Sequence, residues 1–317
     1  MLRFISMNVF RTIMGGRLTA WLRLVRPFTL IAPFIAVFFG VVIQLSFDGA
    51  LSAFLPNVST IIFAGLALSA AQAVGQILNQ VEDVEIDVLN HKDYRPITSG
   101  SISPGQAEIA AWGLALFAIL VGFAVNLVYG VFMVAFLLFD ILYNLEPFRI
   151  KKRLWLNTMS LAVCRGLLPL PAAWSIFGNA GNMVPWLLGS IMAVWVLAWQ
   201  NTKDFTDVAG DRQCGIMTPV VYHRWSTLTA IIGGLSFLAF LLLGGYVMAG
   251  WLPVSLLALL LLALPTGRMF YKMARNTIAV TALENNELWA GFYLTLAGFY
   301  VVAAAAFLVN PYLTLFS

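Results

Sequence analysis

Long apolar runs separated by short polar ones fill the chain from its first thirty residues onward. They fall at about 28–46, 60–82, 106–126, 128–147, 154–177, 183–203, 226–248, 251–266 and 288–309. A helix needs roughly 20 apolar residues to cross the hydrocarbon layer of a bilayer, and all but the short, leucine-rich eighth run come near that length. None alternates apolar and polar residues as a barrel strand does. Backbone groups inside lipid must then be bonded within each segment, so the runs predict helices. The expected fold class is an all-α membrane protein with nine transmembrane helices, forming a single domain over residues 1–317. Pro169 and Pro171, within the fifth run, predict a kink there, because each removes a backbone donor and crowds the preceding turn. Residues 1–26 differ, with Arg3, Arg11, Arg17, Arg23 and Arg26 spread along them and no compact apolar core. They predict an interfacial segment rather than a cleavable leader.

Composition agrees with the pattern: 61% of the residues are hydrophobic and 10% charged, against about 25% charged in soluble domains. A water-soluble globule is excluded. The surplus of +4 is small, which argues against nucleic acid as a partner. Cys164 lies in an apolar run and Cys214 in a polar loop, so neither a disulfide framework nor a metal pair is expected. The placement of the basic residues says more than their sum. Those of the N-terminal segment, then Lys92 and Arg95, then Arg149, Lys151, Lys152 and Arg153, then Lys203, Arg212 and Arg224, then Arg268, Lys272 and Arg275 all fall on one side of the nine spans. The excess of positive charge marks the cytoplasmic side. The N-terminus is therefore expected in the cytoplasm and Ser317 outside.

The acids concentrate in two clusters on that same side. The first, Asn79-Gln80-Val81-Glu82-Asp83-Val84-Glu85-Ile86-Asp87, ends the second run. The second, Lys203-Asp204-Phe205-Thr206-Asp207-Val208-Ala209-Gly210-Asp211, ends the sixth. Steps of four place Asn79, Asp83 and Asp87 on one helical face, continued toward the bilayer by Gln76 and Gln72. Asp207 and Asp211 repeat the step. Taken singly, such acids read as solvated loop charges. Two clusters with the same spacing, four spans apart, read instead as one electronegative site at the cytoplasmic face. Magnesium suits it, since that ion takes oxygen ligands and typically bridges carboxylates to substrate phosphate. Only two histidines are present, His91 and His223, which argues against zinc or iron. Superposing the clusters also predicts a parallel repeat: two four-helix bundles plus one extra helix, around a central cavity.

With these residues in hand, the chain resembles the UbiA superfamily of intramembrane prenyltransferases. The family's NxxxDxxxD motif is matched by Asn79, Asp83 and Asp87, and its second DxxxD motif by Asp207 and Asp211. Tyr94-Arg95-Pro96-Ile97-Thr98-Ser99-Gly100 is similar to its YRPIxSG stretch, and Lys203-Asp204-Phe205-Thr206-Asp207 through Gly210-Asp211-Arg212 to its KDxxDxxGDR stretch. Leu24-Val25-Arg26-Pro27 fits the entry to the first helix. The chain departs from the family at Tyr143-Asn144, where Tyr-Ser is common.

The resemblance implies magnesium-dependent transfer of a polyprenyl group, geranylgeranyl by expectation, from its diphosphate to a membrane-associated acceptor. Two Mg²⁺ ions would sit on Asp83, Asp87, Asp207 and Asp211, helped by Asn79, and stabilise the departing diphosphate. Lys92, Arg95, Lys203, Asp204 and Arg212 would complete the substrate clamp, and Tyr143 would face the prenyl cation. Among acceptors, the motif form leans toward a glycerol-phosphate ether lipid (geranylgeranylglyceryl phosphate), with aromatic acceptors of the quinone, tocopherol and chlorophyll type as the alternative. Arg165, the one basic residue inside a span, is expected to touch substrate or to pair with Asp140. A cation or proton transporter is the competing class. It needs ionisable groups through the depth of the membrane, whereas the acids here gather at one face.

Overall fold

A computed structural model describes residues 16–275 and 287–313; Arg3, Arg11 and Ser317 lie outside them. The described residues form helices and turns. A short α1 (16–25) leads through Arg26, which adopts a left-handed φ of 49°, into α2 (Pro27–Phe47). Then follow α3 (Val58–Glu82), α4 (Val84–Leu89), α5 (Pro104–Val125), α6 (Leu127–Asn144), α7 (Leu156–Ala162), α8 (Pro169–Trp174), α9 (Met183–Trp199), α10 (Val208–Gln213), α11 (Pro219–Tyr222), α12 (Trp225–Met248), α13 (Ala263–Arg275) and α14 (Glu287–Leu313). A 3₁₀ stretch, Val254–Leu262, runs directly into α13.

Local chemistry sets several boundaries. Ser103 and Gln106 cap α5 reciprocally, at 3.3 and 3.1 Å, with Pro104 in the first turn, where its missing donor costs nothing. Asn126 closes the α5–α6 hairpin: its Oδ1 accepts from the Tyr129 amide at 2.8 Å and its Nδ2 donates to the Ser175 carbonyl at 2.8 Å.

Eight segments among the described residues are long and apolar enough to cross a membrane. The count of nine spans meets a difference at the fifth. Residues 156–174 do not form one helix but α7, a π-helical turn over Val163–Leu167, and α8. Proline explains the break. Pro169 has no N–H to donate, and the Leu168 amide reaches back to the Val163 carbonyl at 3.0 Å, a step of five residues. The widened turn packs closely against α9. A β-carbon on Gly166 would meet the Ala193 backbone at 2.5 Å, and one on Gly189 the Leu167 carbonyl at 2.4 Å.

Two apolar cores divide the molecule. One joins α1, α2, α3, α5 and α6; the other joins α9, α12, α13 and α14, and α2 contributes to both. Gln72 of the polar stripe, and Gln80 outside it, fasten α3 to its neighbours. Gln80 Nε2 donates to the Leu24 carbonyl at 2.8 Å, and Gln72 Nε2 to the Thr29 carbonyl at 2.6 Å.

The repeat is visible at residue level in the two acidic segments. Each turns at its middle aspartate, Asp83 with φ −106° and Asp207 with φ −104°, and then makes a short helix. Each short helix ends the same way. The Lys92 amide bonds the Asp87 carbonyl at 2.8 Å and the Ile216 amide the Asp211 carbonyl at 2.7 Å, across a left-handed residue. That residue is His91 (φ 55°) in the first half and Gly215 (φ 70°) in the second.

Candidate active site

The break at Asp83 changes the first acidic row from what helical spacing alone suggests. Asn79 Nδ2 still donates to Asp83 Oδ2 at 2.7 Å, but Asp83 and Asp87 then diverge toward different cations. Asp83 Oδ1 accepts from Lys151 Nζ at 2.6 Å and from Arg149 Nη2 at 3.1 Å. Asp87 receives Arg95 Nη1 on both oxygens, at 2.5 and 2.6 Å. In the second row, Lys203 Nζ bonds Asp204 Oδ1 at 2.5 Å, and Thr206 Oγ1 donates to Asp207 Oδ1 at 3.0 Å.

Two contacts carry one row onto the other. Lys92, from the turn after α4, forms an ion pair with Asp207. Asn90 Oδ1 accepts from the Gly210 amide at 2.9 Å. The fit leaves no room for a side chain at Gly210, whose β-carbon would lie 2.6 Å from that oxygen.

Burial and charge compete at these carboxylates. Burial pushes the Asp87 carboxyl up, against the pull of Arg95 and Lys92. At Asp207 burial pushes up too, but the Lys92 charge and hydrogen bond, with Arg95 behind, hold it below the usual range. Asp211 forms no ion pair with the described residues, and burial together with the charges of Asp204 and Asp207 pushes it up to about 8. Lys151 is pushed down by burial, opposed by Asp83.

Asn79, Lys92, Arg95, Tyr143, Arg165, Lys203, Asp204 and Asp207 line one polar chamber of about 110 Å³. Asp83, Asp87 and Asp211 stand behind that lining. Lys203 Nζ lies 6.0 Å from the centre of the Tyr143 ring. Arg212 is exposed and turns instead to the Val221 carbonyl, at 3.4 Å. Arg165 projects from the π turn and donates to Gln200 Oε1 at 3.2 Å and to the Tyr293 hydroxyl at 3.3 Å, so the expected pairing with Asp140 is not formed. A second, mainly apolar chamber adjoins the first. Ala32, Leu68, Phe136, Pro169, Leu296 and Tyr300 are among its walls.

Lys151 and Arg149 escaped sequence reasoning. They follow α6 in a basic run that, as sequence, only marks the cytoplasmic side, and folding brings them to Asp83, 68 and 66 positions away. The depth of Lys151, which is 4% exposed, separates it from a solvated anchor.

The donor set fits magnesium. All the acidic groups offer hard oxygen atoms, Asp204 Oδ2 is buried without a hydrogen-bond partner, and Asp211 forms no ion pair with the described residues. Among the described residues no three carboxylate, histidine or cysteine side chains yet converge as a ligand set, because basic side chains occupy Asp83, Asp87 and Asp207.

Residues 34–282 match the UbiA prenyltransferase family. The chain is 31% identical to digeranylgeranylglyceryl phosphate synthase of Methanothermobacter thermautotrophicus over 205 residues, 63% of this chain and 70% of that protein. It is 28% identical to chlorophyll synthase of Oryza sativa subsp. japonica, over 60% of this chain and 52% of the other. In three dimensions it is similar to a UbiA homolog from Archaeoglobus fulgidus bound to GPP and Mg²⁺, with a TM-score of 0.62, 16% identity and coverage of 94% of this chain and 100% of that one.

Proposed function

The chain belongs to the UbiA prenyltransferase family, and from that premise we propose that it transfers a polyprenyl group, geranylgeranyl in length, from its diphosphate to a glycerol-phosphate ether lipid. The observation that carries this reading is the joining of two chambers. One is polar and bordered by both acidic segments and by Lys92, Arg95 and Lys203; the other is apolar and reaches into the bundle. An isoprenoid diphosphate has the same two parts. Its tail is a lipid, each CH₂ of which gains about 0.8 kcal/mol by leaving water.

Each group has a task that follows from its place. Asp83, Asp87, Asp207 and Asp211, with Asn79, hold magnesium, which when bound supplies positive charge to the leaving diphosphate. Lys92, Arg95 and Lys203 turn from their carboxylates to the diphosphate oxygens as charge-assisted donors. Tyr143 offers its π face to the positive charge that develops on the first prenyl carbon. The tight apolar chamber keeps water from that carbon. The relatives that make digeranylgeranylglyceryl phosphate support the choice of acceptor.

The test is direct. Purified protein is incubated with labelled geranylgeranyl diphosphate, magnesium and a panel of acceptors: geranylgeranylglyceryl phosphate, homogentisate, 4-hydroxybenzoate and chlorophyllide. Magnesium-dependent labelling of the glycerol lipid is expected. Labelling of an aromatic acceptor in its place would overturn the choice of acceptor while leaving prenyl transfer intact.

A further inference from the structure

Five residues border both chambers: Gln72, Asp140, Leu161, Arg165 and Tyr293. They form the joint between the polar room and the apolar one. An allylic diphosphate seated with its head in the first and its tail in the second puts its reacting carbon, the atom that links head to tail, at this joint. Whatever lines the joint therefore borders the reaction.

Among those five, Asp140 is the one anion, and its chemistry is unspent. Gln72 donates to the Thr29 carbonyl at 2.6 Å. Arg165 and Tyr293 bond each other at 3.3 Å, and Arg165 also reaches Gln200. The carboxyl of Asp140 has no hydrogen-bond or ion-pair partner among the described residues, although it lies on α6 inside a membrane-spanning segment, one turn from its end at Asn144. A carboxylate at such depth is costly, and where one occurs it generally serves ion or proton chemistry.

The fold makes room for it specifically. The carboxyl rests on bare backbone of α3, where a β-carbon at Gly75 would lie 2.2 Å from Asp140 Oδ1 and 2.6 Å from Cγ. One turn later on α6, Asn144 Nδ2 bonds the Gly75 carbonyl at 3.2 Å and the Asp140 carbonyl at 2.9 Å. The two helices are thus locked where the acid protrudes.

We propose that Asp140 is the proton acceptor of the transfer, serving an acceptor that attacks through a hydroxyl group. The assignment rests on the prenyl-transfer reading above. An oxygen lone pair of the acceptor bonds the first prenyl carbon. The bond from that carbon to the diphosphate oxygen breaks, with its electron pair going to the diphosphate. The hydroxyl proton passes to the Asp140 carboxylate, from which water removes it after the products leave. Gln72, Arg165 and Tyr293 at the same joint are donors, suited to orient the oxygen and unsuited to take its proton.

Asp140→Asn keeps the shape that Gly75 accommodates and removes the base. With geranylgeranyl diphosphate, magnesium and geranylgeranylglyceryl phosphate, kcat should fall by about 10²–10⁴-fold, the usual contribution of such a base. KM for both substrates and the affinity for a non-cleavable thiodiphosphate analogue should stay within about threefold, because a proton acceptor acts in the transition state and not in ground-state binding. In Asp140→Ala, added formate should restore turnover at least tenfold, by supplying the missing carboxylate from solution. A kcat for Asp140→Asn within threefold of wild type overturns the assignment. So does a loss that follows analogue binding or thermal stability and that formate does not restore, which would make Asp140 a structural counter-charge. Those results leave the prenyl-transfer reading standing. A wild-type protein that forms no ether with a hydroxyl acceptor overturns the assignment too, and one that transfers the prenyl group to no acceptor at all overturns the prenyl-transfer reading with it.

Discussion

Asp211 shows how finely single residues divide the work at this site. Its neighbours in the two rows each pair with a cation, whereas it forms no ion pair with the described residues, so burial and the charges of Asp204 and Asp207 outweigh the pull of Lys203. Asp211→Ala and Asp207→Ala are expected to cut magnesium-dependent diphosphate release by about 10²-fold or more, the scale on which leaving-group stabilisation acts. Asp48→Ala should leave it within about twofold, because Asp48 sits at the far end of α2 and bonds Gln44. A release assay on the three variants checks this, and equal rates would contradict the two-row site. Residues such as Asn79, Asp83, Asp87, Asp207 and Asp211 were legible because a step of four survives in any chain written out in order. Lys151 and Arg149 were not, since nothing local links them to Asp83. Asp140 was noticed only as a partner for Arg165. Its meaning depends on which two cavities meet beside it, and spacing carries no such information.

Among the elements, the paired endings of α4 and α10 confirm a repeat that motif spacing had suggested. The two halves solve the same turn with different residues, and His91 bears a cost that Gly215 avoids. A left-handed residue with a β-carbon is disfavoured by about 1–2 kcal/mol, and glycine is the usual occupant of that position after a helix. His91→Gly should therefore raise stability by up to about 1 kcal/mol, while Gly215→Ala should lower it by a similar amount. Detergent-solubilised protein followed by thermal unfolding reads both, and a lower midpoint for His91→Gly would show that the imidazole has work of its own. The fifth span marks the limit of sequence reasoning about elements. Pro169 and Pro171 announced a break, yet its form, a π turn that holds Arg165 toward the chamber, follows from packing of Gly166 and Gly189 between α7, α8 and α9. Hydrophobic runs do not encode that packing.

At the scale of the whole molecule, the one-sided placement of basic residues leads us to expect both acidic segments at the cytoplasmic face and the two termini on opposite sides. Reporters fused at residue 1 and after Ser317 should read cytoplasmic and external respectively; two cytoplasmic readings would mean an even number of crossings. The site lies on the seam between the two apolar cores, and Lys92, fixed by the first half, is bonded to Asp207 of the second. That bond has a thermodynamic consequence. Every cation that leaves a carboxylate to meet an anionic ligand exposes a charge that only another cation can answer, and every metal that claims a carboxylate frees a cation to seek an anion. Binding of the two ligands is then linked, and linkage is reciprocal. Magnesium and inorganic pyrophosphate, titrated singly and together by equilibrium dialysis, should each raise the other's affinity by the same factor, about tenfold or more. Independent affinities would contradict the linkage. The protein without ligands, with Asp83, Asp87 and Asp207 paired to its own cations, would hold either ligand alone only weakly and the pair firmly, so release of either after turnover loosens the other.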